Sequence, residues 1–240
     1  MIEERKGILE RGIKIVLSVG EDEIESLRFS ALKKADILEI RIDHFKEPEE
    51  ERIIGFIKRI KKRRNIPVIA TIRMKSEGGK RYIAPSVRLR LFKAVMVYVE
   101  AVDIEMHSRI LNPVIELAKQ RDKITILSYH NLNSTPPVER LEEIIRSGFK
   151  RGGDIVKLAA FARRKADVLR LLNVLFKHRD KNIVVLSLGE IGKISRFFFP
   201  FFGSLFTYTC LKRPFAPAQI NLSQMYEVLN KLDLKQIDKC

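Results

Sequence analysis

Lys157 is the residue whose surroundings ask most directly for a chemical explanation. It stands in Asp154-Ile155-Val156-Lys157-Leu158-Ala159-Ala160, among apolar and small residues. Lysine is almost never fully buried without a partner or a task. In a dry site flanked by arginine charge its amine would be held neutral, and a neutral amine attacks a carbonyl to give a Schiff base. His130, one of four histidines, closes the run Ser128-Tyr129-His130. A histidine titrates near neutrality and suits general acid–base work. Glu39, Arg41 and Asp43 alternate with apolar residues, so on a strand they share one face. Asp103 and Glu105 do the same; they could be acid–base groups, but read first as partners for arginines. Arg73 precedes the charged loop Met74-Lys75-Ser76-Glu77-Gly78-Gly79-Lys80, which reads as a mobile substrate loop. Arg196 could grip a carboxylate with two parallel donors, and Gln219 could bond a hydroxyl. No HExxH or CxxC spacing offers a metal site, and no GxSxG elbow offers a serine nucleophile.

These residues need a scaffold that brings distant segments together. Short β-branched runs predict eight strands, at residues 14–20, 37–43, 67–73, 101–106, 124–130, 154–160, 182–188 and 204–211. Their starts recur about every 27 residues, close to the roughly 30 of one βα unit. The intervening segments read as helices at 21–34, 47–64, 85–99, 108–121, 136–151, 163–178, 190–197 and 216–232. Eight alternating units predict a closed (β/α)8 TIM barrel, with one domain spanning residues 1–240. An open doubly wound sheet would carry a glycine-rich first turn, and Ser18-Val19-Gly20-Glu21-Asp22 is not one. Both strand faces are covered in a barrel, so a charged face must point into its mouth. Active sites lie there, at the C-terminal strand ends, where Lys157 and His130 fall on adjacent strands.

Composition narrows the classes. The chain has 240 residues, 45% of them hydrophobic, and a formal net charge of +16. Its Lys58–Arg64 run reads as a solvated helix face rather than a nucleic-acid surface, because no exposed aromatics interleave with the basic residues. Cys210 and Cys240 cannot build a disulfide framework, which points to a reducing, cytoplasmic setting. No apolar run is long enough to span a bilayer, and the first residues lack a signal core.

Taken in order, ExRxD (Glu39, Arg41, Asp43), IATIRMKSEGG (Ile69–Gly79), VDIEM (Val102–Met106), SYHN (Ser128–Asn131), DIVKLA (Asp154–Ala159), GEIGKISR (Gly189–Arg196) and FAPAQ (Phe215–Gln219) resemble type I 3-dehydroquinate dehydratase. The resemblance covers nearly the whole chain. It implies a (β/α)8 barrel without metal or cofactor, usually a homodimer, with a small-molecule substrate and neither nucleic acid nor membrane as partner. The implied reaction dehydrates 3-dehydroquinate to 3-dehydroshikimate on the shikimate route to aromatic amino acids. It further implies Lys157 as the Schiff-base lysine, His130 as the proton-transfer group and Glu77 as its partner. Glu39, Arg41 and Arg73 would surround the substrate ring, Arg196 would hold its carboxylate, and Gln219 would belong to a closing loop. Ser18 would line the pocket floor.

The sequence departs from the family pattern in places. Phe215 stands where many relatives have serine, and Ala218 where they have glycine. Leu186 and Leu188 replace common methionines, and Tyr208 a common phenylalanine. The run Phe197–Phe202 suits either core or a dimer surface. Two other readings remain: another Schiff-base barrel enzyme of the class I aldolase kind, which lacks its expected glycine-rich phosphate turns here, or a basic nucleic-acid-binding protein.

Overall fold

The computed structural model describes residues 7–10, 12–24 and 27–231. Cys240 and the charged end of the chain lie outside the described residues. The strands are β1 (Lys14–Val19), β2 (Ile37–Arg41), β3 (Val68–Thr71), β4 (Ala101–Glu105), β5 (Ile124–Asn131), β6 (Ile155–Phe161), β7 (Ile183–Leu188), β8 (Phe206–Cys210) and a short β9 (Ile220–Asn221). All pair in parallel, in the order β7-β6-β5-β4-β3-β2-β1-β8-β9. The β7–β8 seam is stitched rather than laddered. The Leu205 N–H donates to the Ile183 carbonyl at 3.0 Å, and the Val185 N–H to Ser204 Oγ at 3.1 Å. Eight strands thus curl into the expected TIM barrel.

The crossovers follow the sequence closely. They are α1 (Phe29–Lys34), α2 (Glu50–Arg63), α3 (Pro85–Val95), α4 (Leu111–Gln120), α5 (Val138–Lys150), α6 (Lys165–Lys177), α7 (Ser195–Phe198) and α8 (Leu222–Lys231). In α2 the apolar residues Ile53, Phe56, Ile57 and Ile60 recur at helical spacing and are buried. Acids occupy its first turn and bases its last, as the helix dipole favours. The Lys58–Arg64 run is largely the outer face of this helix, with Lys58, Arg59, Lys62 and Arg63 exposed. Two predicted helices break up. Residues 21–34 divide into a single turn, Glu21–Ile24, and α1. Residues 190–197 wind through a 3-10 turn into α7, and a second 3-10 turn, Phe199–Phe202, follows it. In the latter stretch Phe199 joins the core while Phe198 and Phe202 face outward.

Two apolar cores lie on the two faces of the sheet. The larger packs helices against the barrel wall. The smaller fills the barrel, with Val16, Ile37, Ile69, Ala101, Ile155, Val184 and Phe206 among its residues. Two positions further along the same strands stand Ser18, Glu39, Thr71, Asp103, Lys157, Leu186 and Tyr208. Because side chains alternate, these share the inward face and form the layer above. An apolar floor therefore carries a polar storey at the C-terminal mouth.

Candidate active site

Lys157 sits in that storey, 4% exposed. Its Nζ donates to Asp103 Oδ2 at 3.0 Å and lies 3.8 Å from Glu39 Oε1. The Tyr208 ring is on another side, its centroid 3.9 Å from Nζ. The surroundings expected from sequence, apolar residues and arginine charge, are thus corrected: the nearest charges are carboxylates. Register explains this. Lys157 pairs with Ser128 across β5–β6, Ser128 with Glu105 across β4–β5, and Thr71 with Asp103 across β3–β4. The staggered strands carry Asp103 to the level of the amine.

The carboxylates are in turn held by arginines and hydroxyls. Arg73 donates to Asp103 at 2.7 Å, Glu105 at 3.2 Å and Ser128 Oγ at 2.6 Å. Arg88 reaches the other Glu105 oxygen at 2.5 Å. Glu39 accepts from Ser18 at 2.6 Å and Thr71 at 2.8 Å. Burial opposes ionisation of Asp103, but Arg73 and Lys157 outweigh it and hold the carboxyl well below the usual carboxylate range. Arg73, expected to surround a substrate ring, spends these donors inside the protein. Asp43 takes two bonds from Arg41, at 2.9 and 2.8 Å, from a 3-10 turn beyond β2 rather than from the strand itself.

His130 and Glu77 meet at the edge of this network. The His130 backbone N–H donates to Glu77 Oε2 at 3.0 Å, and Nδ1 lies 2.9 Å from the same oxygen. With Nδ1–H donating, Nε2 is left as an unprotonated base. Burial, then Arg73 and Lys157, lowers the imidazole well below its ordinary value, so the ring is neutral at pH 7. Burial pushes Glu77 up to about 7, against the pull of Arg73. The loop that carries Glu77 was expected to be mobile, but it is an anchored turn. Gly78 is left-handed at φ +90°, and the Gly79 N–H donates to the Met74 carbonyl at 2.9 Å. A Cβ on Gly79 would stand 2.2 Å from the Arg73 carbonyl oxygen, so only glycine permits this return of the chain. Glu105 accepts the Met74 N–H at 2.7 Å and Asp43 the Lys80 N–H at 3.1 Å.

Arg196 differs from the other arginines. It is 1% exposed, donates to the Pro217 carbonyl at 3.3 Å, and has no acidic partner within salt-bridge distance among the described residues. Its Nε has no hydrogen-bond partner among the described residues. Burial lowers it to about 10, so it remains a cation at neutral pH. Gln219 lies above, taking the Phe215 N–H at 2.7 Å and donating to Ser18 Oγ at 3.4 Å. The Phe215 ring packs 5.3 Å from the Arg41 guanidinium and edge-on to His44 at 4.6 Å.

Ser18, Glu39, Arg41, Arg73, Glu77, His130, Lys157, Arg196 and Gln219 all line one cavity of about 170 Å³. It combines a buried amine, a histidine base with a carboxylate behind it, and an arginine without an acid. A model of the type I 3-dehydroquinase family matches residues 13–236. The chain belongs to this family. It is 34% identical over 222 residues to the 3-dehydroquinate dehydratase of Thermodesulfovibrio yellowstonii, covering 92% of this chain and 96% of that one. It is 37% identical over 231 residues to that of Methanocaldococcus jannaschii, covering 92% and 100%. Among solved structures, 3-dehydroquinate dehydratase from Geobacillus kaustophilus superposes with a TM-score of 0.84 at 26% identity, over 92% of this chain and 91% of that one. The type I enzyme from Clostridium difficile with covalently modified comenic acid gives 0.83 at 26%, over 93% and 94%.

Membership makes the chain a barrel enzyme, and the geometry shows what sequence reasoning missed. Asp103 was read as an arginine partner or an acid–base group, yet it also holds the Lys157 amine. Its alternation with Glu105 flagged the inward face, but only register shows which cation it meets. Tyr208 was marked only as a departure from a common phenylalanine, yet its ring lies against Lys157.

Proposed function

We propose that this chain dehydrates 3-dehydroquinate to 3-dehydroshikimate through an imine on Lys157, with His130 moving the proton. The observation that carries the reading is the shared cavity. An amine, a neutral imidazole and an arginine lacking an acid face one space, matching a substrate with a ketone, an acidifiable C–H and a carboxylate. The protein from Clostridium difficile with covalently modified comenic acid supports a covalent site in the family.

Each step maps onto a group. Lys157 passes its ammonium proton to Glu39, whose Oε1 lies 3.8 Å away, and attacks the C3 ketone. The N–C bond forms and the ketone oxygen leaves as water, taking the proton passed to the carboxylate and a second one lost from the nitrogen. The resulting iminium draws electrons from the C2–H bond, and His130 Nε2 accepts that proton. The electron pair forms the C1–C2 double bond as the C1 hydroxyl departs, taking the proton back from the imidazolium as water. One base on one ring face gives a syn elimination. Water then cleaves the iminium and restores the amine. Glu77 keeps Nδ1 protonated and the ring oriented. Arg196 pairs with the substrate carboxylate.

Ultraviolet absorbance of the conjugated product tests turnover. Borohydride with substrate should inactivate the protein and add ligand mass to the peptide bearing Lys157. Label on any other lysine would overturn the assignment. Lys157→Ala should bind ligand and lose nearly all turnover.

A further inference from the structure

Tyr208 lies in the middle of β8, opposite Val16 on β1, and projects into the barrel between the apolar floor and the cavity. It is 4% exposed, and its ring packs edge-on against Phe206 with centroids 6.4 Å apart. One ring face carries the Lys157 amine. A phenylalanine would provide all of this contact. The difference is the hydroxyl, which is buried and has no protein partner among the described residues. Such a group lowers stability unless something completes it, and buried hydroxyls in native structures are almost always completed. Tyr208 lines the same cavity as Lys157, so a partner can arrive from that side.

We propose that the Tyr208 hydroxyl is a positioning donor for the substrate, hydrogen-bonding an oxygen at or next to the carbon that Lys157 engages. The location follows from the ring. Because Nζ stands over its face, the hydroxyl at its edge lies one ring's reach from the covalent bond. Burial and the charges of Glu39 and Asp103 raise the phenol well above its ordinary value, so it stays protonated and can only donate towards a bound oxygen anion. The bond would limit rotation of the ring about the new N–C bond and keep the C2 proton towards His130. Arg196 would fix the carboxylate end, and Tyr208 the end attached to the enzyme.

The proposal rests on the imine reading, and one experiment separates the two. Turnover, borohydride trapping and thermal melting are measured for the wild type and Tyr208→Phe. The ring and its contact with Lys157 are kept, and only the hydroxyl goes. The expected result is normal trapping, a melting temperature equal to or above wild type, and a five- to tenfold loss in kcat/KM, the size of one neutral hydrogen bond. Tyr208→Leu, which also removes the ring beneath the amine, should lose more and should slow trapping. Unchanged kinetics in Tyr208→Phe, with an active and trappable wild type, would show that the hydroxyl holds only water and overturn this proposal alone. A lower melting temperature with a proportionate loss of active protein would assign it a purely structural role. A wild type that neither turns over nor traps would remove the imine reading and this proposal with it.

Discussion

Replacing Arg196 with methionine should weaken catalysis and relieve the unliganded fold at the same time. The side chain is 1% exposed and faces no carboxylate among the described residues. Its fall from the ordinary arginine value to about 10 corresponds to about 3 kcal/mol by which the folded protein disfavours the charged form. The sign follows: a base whose folded value is depressed destabilises the fold at pH values below it, where it is charged. That penalty fades as pH rises through about 10. Methionine removes the charge, fills similar space, and loses the 3.3 Å bond to the Pro217 carbonyl, worth about 1 kcal/mol. The net gain in the unliganded protein is about 1–2 kcal/mol. Binding moves the other way. Removing one partner of a buried charge pair costs about 2–5 kcal/mol, a loss of about 30- to 5,000-fold in kcat/KM. Melting curves at pH 7 without ligand, steady-state kinetics, and an amide analogue of the substrate in both proteins supply the measurements. The analogue should bind far more weakly than substrate to wild type and about equally to Arg196→Met. Equal analogue losses in both proteins, or a lower melting temperature with unchanged kinetics, would refute the argument and move the carboxylate to Arg41 or Arg73.

Glu77 sets a further expectation. Protonation below about pH 7 removes the acceptor that holds His130 Nδ1–H, so kcat/KM should fall on the acid side of pH 7. Glu77→Gln should flatten that limb while lowering the rate, and an unchanged limb would transfer it to another group. Ala218 has φ +57°, a left-handed backbone costing an L-residue about 1–2 kcal/mol, partly offset in glycine by its looser unfolded chain. Ala218→Gly should therefore raise stability by up to about 1 kcal/mol in denaturant unfolding. We propose that Phe198, 53% exposed, contributes to the homodimer that the family resemblance implies. Phe198→Glu should shift sedimentation towards a monomer without changing the active site, and a wild-type monomer would remove the expectation.

Spacing along the chain was enough to set the barrel and the inward face. Eight β-branched runs, each followed by a helical stretch, leave few arrangements other than parallel strands with covered faces. Period-two alternation then placed Glu39, Asp103, Glu105 and Lys157 inside, because successive side chains on a strand point oppositely whatever the tertiary context. The ordered motifs supplied the remaining site residues, and the structure gathered all nine around one cavity. What the sequence could not carry is register, since the stagger between neighbouring strands is fixed by barrel closure and helix packing rather than by local pattern. Register decided that Asp103 serves both Arg73 and Lys157, so that Arg73 is bound internally. It also decided that the Tyr208 ring lies against the amine. The turn at Gly78 and Gly79 belongs to the same class. Two glycines in a charged loop read as freedom, but contact with the Arg73 carbonyl makes them the means of fixing Glu77 behind His130.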